Sequence, residues 1–262
     1  MTEYPHRDSV RTLELEFIEL SAREPEPLKQ QLSSMGFTRI AKHRHKPVSL
    51  YRKGSANLIL NESDTGLPKS MAEEHGVAIC AIGLKVEESQ QAFATLSRLG
   101  AWPVETRSGA MELNIPAVEG VGGSQIFLID KMPNHLSIYD IDFQMLEGVE
   151  VDTQPCELAA IELTLAEGRL TEWRDFFVQL FGFVAETEND VRCPDSGVCF
   201  HLKEALPSSA NVGLEYLSGV VLKQATSHSD ISWPVHTGDA ETGVSWSQLD
   251  AETSSTASEE SA

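Results

Sequence analysis

LELEFIEL at residues 13–20 and VAICAIGLKV at residues 77–86 decide the fold, because each predicts a strand and the same pattern follows each of them. A third copy of the pattern begins with LAAIELTL at residues 158–165. After each strand, apolar residues spaced three and four apart predict a short helix with one buried face. Each helix ends at a glycine (Gly36, Gly100 or Gly182), where the left-handed backbone just past a helix end favours this residue. The chain is therefore predicted to repeat one structural unit.

The rest of the unit consists of shorter strands separated by Gly, Asn and Pro. In the first copy these strands are predicted at residues 38–44, 48–52 and 57–60, and in the second at residues 111–115 and 125–129. The unit is therefore a strand, a helix and about three strands. A fourth opening strand is predicted at residues 220–225, and no amphipathic helix pattern follows it. Pro25 and Pro27 fit the first turn of the first helix, where no intrahelical donor is lost.

The composition is that of a globular protein with an unusual charge. Of 262 residues, 41% are hydrophobic, which excludes a wholly disordered or collagen-like chain. Forty acidic and 20 basic residues give a net charge of −20, which disfavours binding to nucleic acid. No apolar run approaches the ~20 residues of a membrane span, and no secretory signal is visible. We therefore expect a cytoplasmic protein without nucleic-acid or membrane partners.

The acidic charge is concentrated towards the end of the sequence. Residues 237–262 are rich in Ser, Thr, Ala and Glu, with six acidic residues and neither Lys nor Arg. Such a segment buries too little apolar surface to fold, so a disordered acidic tail is predicted here. A docking tail for a basic partner is the alternative. The four cysteines lack the spacing of a zinc knuckle and are predicted to be free thiols.

A series of short segments carries a family resemblance. In chain order these segments are GF at 36–37, HR at 43–44, LYR at 50–52, LILN at 58–61, EHG at 74–76, ELNIPA at 112–117, GVGGS at 120–124, IFLID at 126–130 and SIYDIDF at 137–143. Together they resemble the bacterial 4-hydroxyphenylpyruvate dioxygenase family, and weaker similarity continues through residues 168–183. The dioxygenase-like C-terminal half of some bacterial 3-dehydroshikimate dehydratases is similar as well.

The resemblance implies an α+β vicinal oxygen chelate fold, the glyoxalase/dioxygenase-like arrangement of repeated βαβββ modules. We expect an N-terminal extension at residues 1–12 and a first domain of two complete modules at residues 13–150. A reduced second domain is expected at residues 151–236, followed by the tail at residues 237–262. In this family the first half carries no iron and serves mainly structure and assembly.

The resemblance also implies an Fe(II) site built by two histidines and one carboxylate of the second half. With iron, the family oxidatively decarboxylates a 2-keto acid and hydroxylates its ring in tyrosine breakdown. Counting back without a gap from residues 180–183 puts Ala160 at the first histidine position. The second falls on Leu222 or Lys223, and the third, a Glu on a late strand, falls in the region of the acidic tail. We therefore expect no metal ligands, no catalytic residues and no cofactor at these positions.

Two other groups of residues are candidate sites. A metal site rebuilt from His201, His228 or His236, with Glu162 and Asp230 nearby in sequence, matches no familiar ligand spacing, so solvated histidines are expected there. His43, Arg44, His45 and Arg52 belong to the densest basic stretch of the chain and could contact an anion or an acidic partner. The competing interpretation of this stretch is a solvated basic strand or a subunit contact.

These observations favour a catalytically degenerate homologue with a binding, assembly or regulatory role. The alternatives are an active Fe(II)-dependent dioxygenase with unconventional ligands, a relative of the dehydratase half, and a decaying gene fragment. The expected partners are copies of this chain, a full-length family member in a mixed oligomer, or a small aromatic keto acid.

Overall fold

The computed structural model describes residues 9–106, 108–109, 112–133, 136–150, 152–205 and 213–224, and the backbone of 231–234 and 247–248. In this part of the chain the strands form one nine-stranded and one seven-stranded sheet. The predicted tail and His228, Asp230 and His236 lie outside the described residues, except for the backbone of residues 247–248.

The first sheet is built from the first two copies of the repeat. Its strands are β1 (Thr12–Ala22), β2 (Thr38–His43), β3 (Val48–Lys53), β4 (Ala56–Asn61), β5 (Val77–Val86), β6 (Pro103–Val104), β7 (Ala117–Glu119), β8 (Gln125–Asp130) and β9 (Phe143–Met145). Its helices are α1 (Pro25–Ser34), α2 (Gly66–His75), α3 (Ser89–Arg98) and α4 (Ile138–Asp142), with a 3₁₀ turn at Val121–Gly123. The strand order is β6-β7-β8-β5-β1-β4-β3-β2-β9.

The second sheet follows the third opening strand. Its strands are β10 (Cys156–Leu165), β11 (Val184–Ala185), β12 (Asp190–Arg192), β13 (Cys199–Glu204), β14 (Tyr216–Gln224), β15 (Ile231–Pro234) and β16 (Ser247–Gln248), and its helix is α5 (Leu170–Phe181). The strand order is β11-β12-β13-β10-β14-β15-β16. The last strand of the first sheet ends at Met145, and the first strand of the second sheet begins at Cys156.

The predicted repeat is confirmed by the pairing of the strands. In each of three copies a strand and a helix precede three strands, and the opening strand pairs in parallel with the last one: β1 with β4, β5 with β8, and β10 with β13. Successive opening strands pair antiparallel, β1 with β5 and β10 with β14. The left-handed glycine past the helix end is also present, since Gly36, Gly100 and Gly182 all have positive φ.

Two local expectations need correction. Residues 112–115 are not a strand, because the Leu113 N–H donates to the Asp142 carboxylate instead of to a neighbouring strand. Residue 111 of the predicted strand lies outside the described residues. Helix α2, which no pattern predicted, begins at Gly66 and buries Met71 and Ala72. Its apolar face is only a few residues wide, which explains why the periodicity was too weak to predict it.

One apolar core joins the two sheets. It contains residues of β1 and β4, such as Leu20 and Leu58, together with Ile161 of β10 and Phe200 of β13. In the second half, the ring of Phe177 on α5 lies 4.9 Å from that of Phe200. Helix α5 therefore covers one face of the second sheet and leaves the opposite face of β10, β12 and β13 for side chains that line a cavity.

Candidate functional site

A cavity of about 910 Å³ lies between the two sheets, and we call it the inter-sheet cavity. Strands β1, β3 and β5 supply Glu16, Arg52 and Lys85 to its wall. Strands β10, β13 and β14 supply Ala160, His201 and Lys223. Asn57 of β4 and Arg192 of β12 line it as well. Side chains from eight strands and from both halves of the chain therefore converge on one space, as in many ligand-binding clefts.

The first-sheet wall of the inter-sheet cavity carries fixed charges. Lys85 forms ion pairs with Glu14 and Glu16. Burial alone would lower the pKa of Lys85, but the hydrogen bonds to these two carboxylates raise it. Arg52 donates to the Asn57 Oδ1 at 2.7 Å, and its guanidinium lies 5.3 Å from the centroid of the Tyr139 ring. These contacts fix the positions of the charged groups on this wall.

The second-sheet wall contains the positions that the sequence relates to iron ligands. Ala160 lies in register with Cys199 of β13 on one side and with Val221 of β14 on the other. Leu222 is buried in the apolar core, whereas Lys223 lines the inter-sheet cavity and pairs with Glu157 at 3.2 Å. No lone pair for an iron ion is available from the methyl group of Ala160, the buried side chain of Leu222 or the paired ammonium of Lys223. These described residues therefore do not fit the two-histidine, one-carboxylate ligand set.

Beside Ala160, three side chains with metal-binding atoms come together. Asp190 of β12 is in register with His201 of β13, and Cys199 stands two residues before His201 on the same face. The Asp190 Oδ1 is 2.6 Å from the His201 Nδ1, and the Cys199 Sγ is 3.7 Å from the same nitrogen. All three ligand atoms lie within 4.8 Å of one another. We call this group the Asp-Cys-His cluster.

The environment of the Asp-Cys-His cluster sets its protonation. Hydrogen bonds from His201 and Thr187 hold the pKa of the Asp190 carboxyl below its usual value. Burial raises the pKa of the Cys199 thiol to about 11, and the charge of Arg192 offsets only part of this effect. Asp190 is therefore a carboxylate near neutral pH, and Cys199 without a metal ion is a protonated thiol.

A second cavity, of about 440 Å³, lies on the first sheet, and we call it the first-sheet cavity. Its wall contains the rings of Phe17, Phe127 and Phe143, together with Glu19. The Glu19 carboxylate accepts a hydrogen bond from the Asn61 Nδ2 at 2.8 Å. Burial raises the pKa of Glu19, although Asn61, Cys80 and the charge of Lys46 act in the opposite direction.

Two residues of the predicted basic patch, His43 and Arg52, line different cavities. His43 lines the first-sheet cavity, and its Nδ1 accepts hydrogen bonds from the backbone N–H groups of His45 and Lys46 at 3.1 Å. Arg44 donates to the Ile141 carbonyl, whereas Arg52 lines the inter-sheet cavity. Burial lowers the pKa of His43, which keeps its ring neutral. Anion or partner binding by these residues stays a prediction.

Sequence reasoning named His201 but missed Asp190 and Cys199 as its neighbours. A Cys-x-His pair on a strand was an available signal, since residues two apart on a strand share a face. The contribution of Asp190 depends on the pairing of β12 with β13, which sequence patterns do not give. Glu162 lies in register with His201 and forms an ion pair with Lys203, while His228 and His236 lie outside the described residues.

The repeated modules and the inter-sheet cavity define an α+β protein of the vicinal oxygen chelate fold. The family model described as "Hydroxyphenylpyruvate dioxygenase, HPPD, N-terminal" matches residues 6–144. The chain belongs to the hydroxyphenylpyruvate dioxygenase family. Among the helices of the described residues, none has the length and apolar character needed to cross a bilayer.

Two curated relatives illustrate the similarity. The chain is 43% identical over 171 residues to a 4-hydroxyphenylpyruvate dioxygenase of Pseudomonas sp. (strain P.J. 874), which covers 64% of this chain and 48% of that protein. It is 34% identical over 179 residues to a 3-dehydroshikimate dehydratase of Pseudomonas aeruginosa, covering 66% of this chain and 28% of that protein. The chain thus spans about half of the length, or less, of these relatives.

Two solved structures share the fold. A xylose isomerase-like TIM barrel/4-hydroxyphenylpyruvate dioxygenase fusion protein superposes with a TM-score of 0.69 at 22% identity, covering 84% of this chain and 37% of that one. A triple mutant of 4-hydroxymandelate synthase from Streptomyces coelicolor gives a TM-score of 0.64 at 16% identity, covering 80% and 71%. At these identities the likeness concerns the fold alone.

Proposed function

We propose that this chain is a hydroxyphenylpyruvate dioxygenase homologue that does not perform iron-dependent oxidation and has a binding role instead. One observation carries the proposal. Ala160, at the first expected histidine position, lines the inter-sheet cavity beside Val221. The second expected position, Leu222 or Lys223, offers no usable iron ligand either. Two missing imidazoles remove most of the ligand field that fixes Fe(II) in such a site.

The inter-sheet cavity supports a small aromatic keto acid as the bound molecule. Its volume of about 910 Å³ is large enough for a molecule of this size. Arg52 and Lys223 offer positive charge to a carboxylate, although Glu157 already pairs with Lys223. The guanidinium of Arg52 is the better anchor because it can form two parallel hydrogen bonds with a carboxylate.

A second candidate function is an active enzyme that uses other ligands in the same cavity. The Asp-Cys-His cluster favours it, since this cluster places three metal-binding atoms beside Ala160. Dioxygenase chemistry in tyrosine breakdown, or an activity like that of the dehydratase relatives, would then use a different metal environment. The location in the cytoplasm and the mixed oligomer with a longer family member stay predictions of the sequence.

The test uses the full chain expressed and purified in the presence of Fe(II). Metal analysis and an assay of homogentisate formation from 4-hydroxyphenylpyruvate are made on the same sample, with an active family dioxygenase as the positive control. We expect no stoichiometric iron and no homogentisate. Iron-dependent homogentisate formation by this chain alone would overturn the proposal.

Binding is measured separately by titrating 4-hydroxyphenylpyruvate into the protein in a calorimeter. We expect binding without turnover, weakened about tenfold by Arg52→Gln because a charged hydrogen bond is lost. The matched control is Arg39→Gln, which removes an exposed guanidinium of the neighbouring strand β2. Equal weakening in both variants would contradict a site at Arg52, and lack of any binding would contradict the keto acid as ligand.

A further inference from the structure

We propose that Asp190, Cys199 and His201 bind a zinc(II) ion, with one coordination position open to the inter-sheet cavity. This inference goes beyond the proposed function, because it assigns a metal site that uses none of the expected iron-ligand positions. The ligands come from β12 and β13, whereas the iron positions fall on β10 and β14.

The pairing of the strands fixes the geometry of the three ligands. Asp190 and His201 are direct partners across the antiparallel β12–β13 pair, and Cys199 occupies the next position on the same face. In a tetrahedral zinc site with bonds of about 2.0 to 2.3 Å, neighbouring ligand atoms lie about 3.3 to 3.7 Å apart. The Cys199 Sγ and His201 Nδ1 already have this separation, at 3.7 Å.

Only the carboxylate needs to move. The Asp190 Oδ1 and the His201 Nδ1 are 2.6 Å apart because they share a proton in a hydrogen bond. A zinc ion that replaces this proton would increase the distance between the two atoms by about 1 Å, and a small rotation of the carboxylate allows this change. The Thr187 hydroxyl donates to the other oxygen, Oδ2, at 2.7 Å, and therefore orients Oδ1 towards the ion.

The ligand set suits zinc in charge and in chemical type. One carboxylate, one thiolate and one neutral imidazole carry two negative charges, which balance a divalent cation at a partly buried site. On binding, Cys199 forms a sulfur–zinc bond and releases its thiol proton to the solvent. The His201 Nδ1 forms a nitrogen–zinc bond, and the proton displaced from it is taken up at Nε2 through the solvent, so that the imidazole stays neutral. Thiolate with imidazole selects zinc over Mg²⁺ or Ca²⁺, which prefer oxygen ligands.

The nearby positive charge is already engaged. Arg192 is in register with Cys199, but its Nε donates to the Glu186 Oε1 at 2.5 Å and its Nη1 donates to the Gly197 carbonyl at 2.6 Å. These contacts hold the guanidinium in place and offset its repulsion of a cation. Cys199 and His201 both line the inter-sheet cavity, so the fourth position faces that space. Three protein ligands with an open position are typical of catalytic zinc sites.

The experiment uses the full chain, freed of metal with a chelator and then dialysed against Zn(II) alone. We expect one equivalent of bound zinc. The variants Asp190→Asn, Cys199→Ser and His201→Ala should each weaken binding by roughly tenfold or more, since a ligand contributes at least as much as its supporting partner. The matched control is Cys193→Ser, which changes a buried thiol outside the cluster and can still donate to the Thr12 carbonyl.

Cobalt(II) provides a second readout that reports on the sulfur itself. Co(II) bound to the unmodified chain should show a thiolate-to-cobalt charge-transfer absorption, which Cys199→Ser abolishes and Cys193→Ser retains. Circular dichroism checks that each variant is folded, and Asp190→Asn serves where a cysteine variant does not fold. Zinc binding that is absent in the unmodified chain, or equally tight in all three ligand variants, would overturn the inference.

The zinc test and the homogentisate test fail independently. Zinc binding without homogentisate formation supports both proposals. If the chain binds no zinc, the zinc inference fails, and the homogentisate assay still tests the predicted lack of iron-dependent oxidation. Homogentisate formation that survives in the three ligand variants contradicts the proposed function without lending support to the zinc site.

Discussion

Glu19 of β1 is a carboxyl group on the wall of the first-sheet cavity, which the rings of Phe17, Phe127 and Phe143 also line. Burial raises its pKa above the ordinary value of 4.5, and Asn61, Cys80 and Lys46 compensate only in part. Ionising such a group in the folded protein costs free energy that ionising it in the unfolded chain does not. Glu19 therefore makes the stability of the protein depend on pH.

The predicted effect of Glu19→Gln follows from the sign of this shift. Below the unfolded pKa the carboxyl is neutral in both states, so the substitution changes stability little. As the pH rises from about 4.5 through the raised folded pKa, the unsubstituted chain loses stability relative to the glutamine variant, and above that pKa the difference stays constant. Guanidinium unfolding at several pH values between 4 and 8 measures this.

The control for this experiment is Glu147→Gln, which changes an exposed carboxyl after strand β9. Comparison with this variant separates the effect of burying a carboxyl group from that of removing a negative charge. The interpretation of Glu19 would be wrong if the advantage of its glutamine variant shrank as the pH increased.

Single residues also show what the sequence could not predict. His201 was a candidate metal ligand by residue type alone. In the structure, its neighbours Asp190 and Cys199 place two further metal-binding atoms within 4.8 Å of it, so that the geometry also makes it a candidate ligand. Arg52 was grouped with His43 because both are basic and near in sequence, yet the two side chains line different cavities. Alternation along a strand tells which residues share a face, but not which side chains from other strands meet them.

At the level of elements, the repeated unit was predictable because its signals are local. Apolar periodicity and a terminal glycine depend on a dozen neighbouring residues, and they located α1, α3 and α5 correctly. The region at residues 112–115 was predicted wrongly, because there the backbone donates to a side chain, Asp142, rather than to a strand. No sequence rule connects positions separated in this way.

The 3₁₀ turn at Val121–Gly123 contacts the start of β14 through a close backbone approach. Gly122 has φ +63°, and a Cβ atom there would lie 1.8 Å from the Glu215 carbonyl oxygen. The Glu215 side chain in turn accepts hydrogen bonds from the Trp173 Nε1 and the Arg169 Nε. The turn of the first sheet is therefore fixed against the second.

We predict that Gly122→Ala destabilises the protein by about 1 to 3 kcal/mol more than Gly123→Ala. Both glycines have positive φ, but a Cβ at Gly123 meets nothing within 4 Å. The Gly123 variant therefore measures backbone strain alone, and the difference between the variants measures the contact with Glu215. Denaturant unfolding of both proteins gives the two values, and equal losses would contradict the contact.

The whole molecule is held together across the two sheets by backbone hydrogen bonds as well as by the apolar core. The Val10 N–H donates to the Leu180 carbonyl at 2.8 Å, and the Ser55 N–H donates to the Cys156 carbonyl at 2.8 Å. The Thr12 hydroxyl donates to the Phe181 carbonyl at 3.0 Å. Strands β1 and β10 are therefore both tied to the opposite half of the chain, which favours cooperative unfolding.

We predict a single calorimetric transition that is shifted by core substitutions in either half. Leu20→Ala in β1 and Phe200→Ala in β13 should each destabilise this same transition by about 3 kcal/mol, since both side chains are fully buried in the shared core. Hydrogen exchange followed in peptides of both sheets should report the same change. Two transitions, of which each variant moves only one, would contradict the cooperative interpretation.

The sequence by itself determined the repeated modules, the family and the unusual side chain at residue 160, because these depend on local periodicity and on residue identity. Only the tertiary structure decided which side chains meet. Asp190 approaches Cys199 and His201 through the register of β12 with β13, and Glu19 acquires its raised pKa through burial. Such sites depend on pairing between distant segments and on the exclusion of water, and neither exists until the sheets have formed.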